Sequence, residues 1–173
     1  NSWTEFNQLL CSIFYLCACE CINDQNNNGI CDEDETITQE IELNTGWNIW
    51  STYVIPENQD FENIFSLIVD DLIIMKDENG SVYWPEFELN NIGSLNIGKG
   101  YQAKMNTDQT LTIQGSLIPY NTSLNIESGW SMLGYLHQES INSESAMNPI
   151  VESIIIMKDE NGNVYWPEFE LNS

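Results

Sequence analysis

Oxygen-bearing side chains are most densely spaced between residues 24 and 35. They read Asp-Gln-Asn-Asn-Asn-Gly-Ile-Cys-Asp-Glu-Asp-Glu and fit D-x-[DN]-x-[DN]-G-x5-E at every constrained position. Calcium takes six to eight oxygens, and alternate residues of a tight loop can converge on one ion. Asp24, Asn26 and Asn28 would donate side-chain oxygens and Ile30 its carbonyl, while Asp32 would bind directly or through water. Glu35 could close the shell with both carboxylate oxygens, and Gly29 permits the sharp turn. The competing reading is a solvated acidic linker. Cys21 and Cys31 bracket the loop and are candidates for a disulfide that staples a segment too small to own a core.

A second chemistry lies in Tyr83-Trp84-Pro85-Glu86 and its repeat, Tyr165-Trp166-Pro167-Glu168. Neighbouring residues of a strand point to opposite faces, so one aromatic of each pair should face outward unless covered. An outward ring beside Glu86 or Glu168 could stack on a sugar, with the acid accepting hydroxyl hydrogen bonds. A covering contact with the helix or the neighbouring module is the alternative. Catalytic constellations are not legible. Glu86 and Glu88 lie two apart on one expected strand, whereas glycosidase carboxyls face each other across a cleft. His137 has Ser131 and Ser140 nearby but no G-x-S-x-G, and its aligned position in the first repeat is Val54.

These segments sit in a strongly acidic chain of 173 residues: four lysines and no arginine face 27 carboxylates, a formal net charge of -23. Nucleic-acid affinity comes from cations that displace counterions, so that partner class is set aside. Anionic membrane surfaces are disfavoured for the same reason. Hydrophobic content of 42% is ample for a core. All five cysteines fall at or before residue 31, which points to an oxidising compartment and marks residues 1–35 as a separate unit. Leu9 to Cys19 is an apolar run too short to span a membrane. It is open to three readings: a buried or cross-linked segment, an export signal, or a lipidation site at Cys19.

The elements that must position the aromatics come twice. Residues 73–90 and 155–172 differ only at Ser81 against Asn163, and Gly46-Trp47 corresponds to Gly129-Trp130. The spacing is 83 residues at the Gly-Trp pair and 82 at the later block. Residues 36–120 are expected to form a complete β module and residues 121–173 a truncated second copy, within a longer parent chain. Trp47 to Val54 predicts one strand, with Trp47 and Trp130 in the core. The apolar period over Phe61 to Val69 predicts a helix capped by Asp60. Leu72–Met75 and Val82–Trp84 predict a hairpin across Asp77-Glu78-Asn79-Gly80. Tyr101–Met105 and Thr110–Ile113 predict a second hairpin across residues 106–109. The expected fold is mainly β, as tandem small β-sandwich or barrel modules with one short helix each.

Two resemblances accompany these residues. The loop, over residues 21–35, resembles the Asp/Asn-rich calcium repeats of thrombospondin type 3 and dockerin kind rather than a full EF-hand, because its flanks do not read as amphipathic helices. Those repeats are metal-rigidified connectors between domains. Gly46-Trp47-Asn48-Ile49, Val82-Tyr83-Trp84-Pro85, Gly98-Lys99-Gly100-Tyr101-Gln102 and Leu111-Thr112-Ile113-Gln114-Gly115 are similar to the "GWN…YWP…GYQ" modules of secreted surface proteins of marine Bacteroidota-type bacteria. The resemblance spans residues 43–115 and 126–172. It implies export, often by type IX secretion, and a surface role in attachment, spacing or adhesion, without established catalysis. The expected cofactor is calcium, and the expected partners are a glycan or cell-surface protein and neighbouring modules. A carbohydrate-binding module and the accessory region of a secreted hydrolase are the alternatives.

Overall fold

The computed structural model describes residues 35–119 and 121–172. The fold is mainly β, and all of its sheets are antiparallel. In the first copy, β1 (Ile37–Leu43), β8 (Gln109–Leu117) and β3 (Val54–Pro56) form a three-stranded sheet in the order β1-β8-β3. A five-stranded sheet follows the order β2-β7-β4-β5-β6. Its strands are β2 (Gly46–Trp50), β7 (Tyr101–Met105), β4 (Leu72–Lys76), β5 (Val82–Trp84) and β6 (Leu89–Asn90). Both sheets contribute to one buried cluster. Leu43, Val54, Leu111 and Ile113 come from the smaller sheet, and Trp50, Leu72, Met75, Tyr83, Tyr101, Ala103 and Met105 from the larger.

Aromatic packing anchors that cluster. Trp50 lies 5.4 Å from Phe65 and 5.5 Å from Tyr101 between ring centroids, and Phe61 meets Tyr101 edge-on at 4.9 Å. Such pairs contribute about 0.5–1.5 kcal/mol each beyond their buried area. Phe61, Phe65 and Ile68 reach the core at the spacing the sequence predicts. The helix itself is shorter: α1 is Phe61–Ile64, followed by a turn and a 3-10 segment at Val69–Asp71. Asp60 stands at its N-cap as expected, its carbonyl accepting from Ile64 N at 3.0 Å, but its carboxylate makes no capping bond and accepts from Ser94 Oγ instead.

Trp47 to Val54 is two strands rather than one. Thr52 is buried at the break; its Oγ1 accepts from Val54 N at 2.9 Å and bonds Gln39 Oε1 at 2.8 Å. That kink sends β2 into the larger sheet and β3 into the smaller. Parity along β2 then points Asn48 and Trp50 inward and Trp47 outward. Trp47 is 49% exposed and Trp130 is 71% exposed, so neither is the core residue expected of it. Trp50 takes that place.

The hairpin at Asp77–Gly80 is present, with Met75 paired to Tyr83 and Lys76 to Val82. The second expected hairpin is not. β7 pairs with β2 and β4, while β8 pairs with β1 and β3, so residues 106–108 turn a corner between the sheets. Asp71 organises that corner, accepting from Thr107 Oγ1 and Gln109 Nε2, both at 2.7 Å.

In the second copy, β9 (Met157–Lys158), β10 (Val164–Trp166) and β11 (Leu171–Asn172) form a three-stranded sheet matching β4, β5 and β6. The helix α2 (Ser143–Met147) precedes it, with Asn142 accepting from Glu144 N at its start. Trp130 begins no strand. No helix among the described residues is long and apolar enough to cross a membrane.

Candidate functional site

Each Tyr-Trp-Pro is built the same way in both copies. Tyr83 pairs with Asn90 and Trp84 with Leu89; Tyr165 and Trp166 pair likewise with Asn172 and Leu171. Pro85 and Pro167 hold the preceding tryptophan extended, at ψ 90° in both, and open a 3-10 turn. Glu88 and Glu170 close that turn in the left-handed region, at φ 52° and 51°. Pro-Glu-Phe-Glu is therefore the tip of a hairpin. Glu86 and Glu88 stand on that tip, not on a strand as expected.

The inward aromatic of each pair is tyrosine: Tyr83 is 5% and Tyr165 is 8% exposed. Burial, with Glu62 nearby, pushes the Tyr83 hydroxyl above its ordinary pKa. Neither tyrosine ring can therefore serve as an open stacking platform. Trp84 and Trp166 are half-buried, each with a phenylalanine edge-on: Phe87 at 4.6 Å and Phe169 at 4.7 Å. The indole N–H groups of both are buried without an acceptor among the described residues, so each tryptophan presents its ring and not its donor. Phe87 and Phe169 are 62% and 63% exposed, and Glu86 and Glu168 stand beside them on the same turns. The chemical capacity of the tip is an aromatic ledge next to a carboxylate. Phe87 and Phe169 were legible only as members of the repeated block; nothing in their spacing marked them as the outermost rings.

Trp47 carries a different surface. Lys76 and Lys104 stand over its ring, at 5.0 and 5.9 Å from the centroid, and Lys158 stands 5.8 Å from Trp130. Three of the chain's four lysines therefore lie on the two Gly-Trp tryptophans, and the fourth, Lys99, pairs with Glu78. Beneath Trp47, Asn48 is 4% exposed and fixes the β1–β2 turn. Its Oδ1 accepts from Asn44 N at 2.8 Å, and its Nδ2 donates to Asn44 O at 2.7 Å and Gly46 O at 3.2 Å. Trp–Asn in this motif is a division of labour between an outward ring and an inward turn staple.

The Asp77 and Asp159 loops also match. Asp77 Oδ1 accepts from Asn79 N and Ser81 N at 2.9 and 2.7 Å; Asp159 Oδ1 accepts from Asn161 N and Asn163 N at 2.9 and 2.8 Å. The Asn163 side chain adds a further bond and, with these amides, holds the Asp159 carboxyl below its ordinary pKa.

Between the copies the main chains touch. Gly100 N donates to Met132 O and Gly134 N to Gly98 O, both at 2.8 Å, around a bridge between Lys99 and Leu133. A Cβ on Gly134 would lie 2.9 Å from Gly98 C, so the approach needs glycine there, and one on Gly100 would lie 3.0 Å from Leu133 O, a tight fit.

Of the expected calcium ligands, Asp24, Asn26, Asn28, Ile30 and Asp32 lie outside the described residues, as do Cys21 and Cys31. Glu35 is half-buried and stands just ahead of β1. Among the described residues no cluster of three or more His, Cys, Asp or Glu is placed to hold a metal. Compared with protein-family models, with curated proteins and with solved structures, the chain matches none of them.

Proposed function

We propose that the chain is a non-catalytic extracellular or cell-surface module for adhesion or spacing. In this reading it consists of tandem small β-sandwich or barrel units, with a connector ahead of them rigidified by calcium at Asp24, Asn26, Asn28, Ile30, Asp32 and Glu35. The supporting observation is the glycine-lined backbone bridge between residues 98–100 and 132–134. A spacer must resist bending at its joints, and main-chain bonds at a closely packed joint serve that end. Hydrogen exchange of the whole chain tests this. Protection of the Gly100 and Gly134 amides is expected, and free exchange of both would remove the stiff joint. For the connector, the oxygen-only donor set is that of a hard cation. Calcium calorimetry should show heat that Asp24→Ala abolishes; equal heats would leave only a solvated acidic linker.

A second reading is carbohydrate binding at the hairpin tips, favoured by the identical ledge of Trp84, Phe87 and Glu86 and of Trp166, Phe169 and Glu168. Binding on a glycan array that Trp84→Ala and Trp166→Ala together abolish would support it. Silence on the array, with adhesion retained in a cell-surface assay, would leave the spacer reading alone.

A further inference from the structure

β2 is the last strand of the five-stranded sheet, so its outward amides lack a strand partner. One of them, Ile49 N, donates to Glu160 Oε2 of the second copy at 2.8 Å. Met132 N donates to Glu78 Oε2 of the first copy at 2.9 Å. These are the same contact made in both directions. Glu78 and Glu160 are each the second residue of the Asp-Glu-Asn-Gly loop, and Ile49 and Met132 each stand two residues after the Gly-Trp tryptophan. A surface in which position i meets position j, while j meets i, is the signature of isologous association between like units. An accidental junction has no reason to use one pair of positions twice.

From this exchange we infer that the Gly-Trp module recognises another module of its own kind, by placing the glutamate of its Asp-Glu-Asn-Gly loop on the partner's backbone amide two residues after the Gly-Trp tryptophan. The partner is a second copy of the module, here the one in the same chain. Both loops are preorganised for this contact. The Asp77 and Asp159 carboxylates lock them through two backbone amides apiece, with Gly80 and Gly162 at φ 83° and 88°. The glutamate is thus aimed before contact, which lowers the ordering cost of association. Accepting an N–H by a carboxylate is a charge-assisted bond, stronger than a neutral one. At Ile49 it also occupies an edge-strand amide that could otherwise template strand addition. Because the contact is reciprocal, two modules close it.

The inference rests on the docked junction of the spacer reading, and amide exchange of the full chain separates the two. In the unsubstituted chain, both Ile49 and Met132 amides should be protected. Glu160→Ala should speed exchange at Ile49 by about tenfold or more, the scale of a lost charge-assisted bond, with Met132 much less affected. Glu78→Ala should do the converse, and the Ala103 amide, within the sheet, serves as the control for intact folding. Free exchange at Ile49 and Met132, with Gly100 and Gly134 still protected, would overturn the reciprocal pairing and leave the joint standing. Free exchange at all four would overturn both. Equal acceleration at Ile49 and Met132 by either substitution would also overturn the specific exchange of partners.

Discussion

Asn48→Ala offers a sharp test of how the Gly-Trp turn is held. The side chain is 4% exposed and makes two short bonds to Asn44, at 2.8 and 2.7 Å, and a longer one to Gly46 O at 3.2 Å. The approach to Ala103 O, at 3.5 Å, is at the limit and adds little. Net values near 1 kcal/mol per bond give about 2–3 kcal/mol, a sizeable part of the roughly 5–15 kcal/mol that holds a small domain folded. Urea denaturation followed by tryptophan emission would read this as a lower midpoint at unchanged slope. Ser131 occupies the corresponding position in the second copy and supports no such turn, so Ser131→Ala should fall within about 0.5 kcal/mol of the unsubstituted chain. Equal losses for the two substitutions, or an Asn48→Ala chain as stable as the parent, would refute the staple.

Trp50→Ala should destabilise by about 3–5 kcal/mol, as for a large buried aromatic, whereas Trp47→Ala should lose only about 1 kcal/mol, the scale of an exposed cation–π contact; denaturation midpoints decide the order. Gly115→Ala would place a Cβ 2.0 Å from Ile55 O, so β3 must separate from β8 and the chain should lose about 1–3 kcal/mol or fail to fold, visible in thermal melts. Gly134→Ala should open the joint between copies, exposing the Gly100 amide to exchange without altering protection at Ala103. Asp108 accepts from the Thr45 hydroxyl and amide, which holds its carboxyl below the ordinary value. Its contribution is therefore present above the unfolded pKa and is lost as pH falls through the folded one, so Asp108→Asn should flatten the acid limb of the stability curve.

The sequence revealed most where a local rule was decisive. Asp77-Glu78-Asn79-Gly80 marked the β4–β5 hairpin, whose turn closes from Gly80 N to Asp77 O, with Gly80 supplying the positive φ of 83°. Phe61, Phe65 and Ile68 advertised their inward face by spacing alone. Failures came where long-range geometry outweighed local pattern. In Trp47-Asn48-Ile49-Trp50 one parity sets Trp47 with Ile49 and the other Asn48 with Trp50, so apolar pattern alone favours the wrong face, and the hydrogen-bond demand of Asn48, met inside, reverses it. Thr52 breaks the strand through a bond to Gln39, which no window around residue 52 contains. The four polar residues after Met105 have hairpin composition, but Asp71 draws them into a corner instead. At the tips, Tyr83-Trp84 obeyed strand alternation, yet the exposed ring beside it, Phe87, depends on a turn set by Pro85 and Glu88.

Adhesion or spacing by this chain depends on the two Gly-Trp copies forming one stiff unit. Nitrogen-15 relaxation of the whole chain measures this without any substitution. A common rotational correlation time for strand amides in residues 37–117 and 157–172 is the predicted result. A distinctly shorter time for the second group would mean that the copies turn independently, and the stiff joint would be disproved.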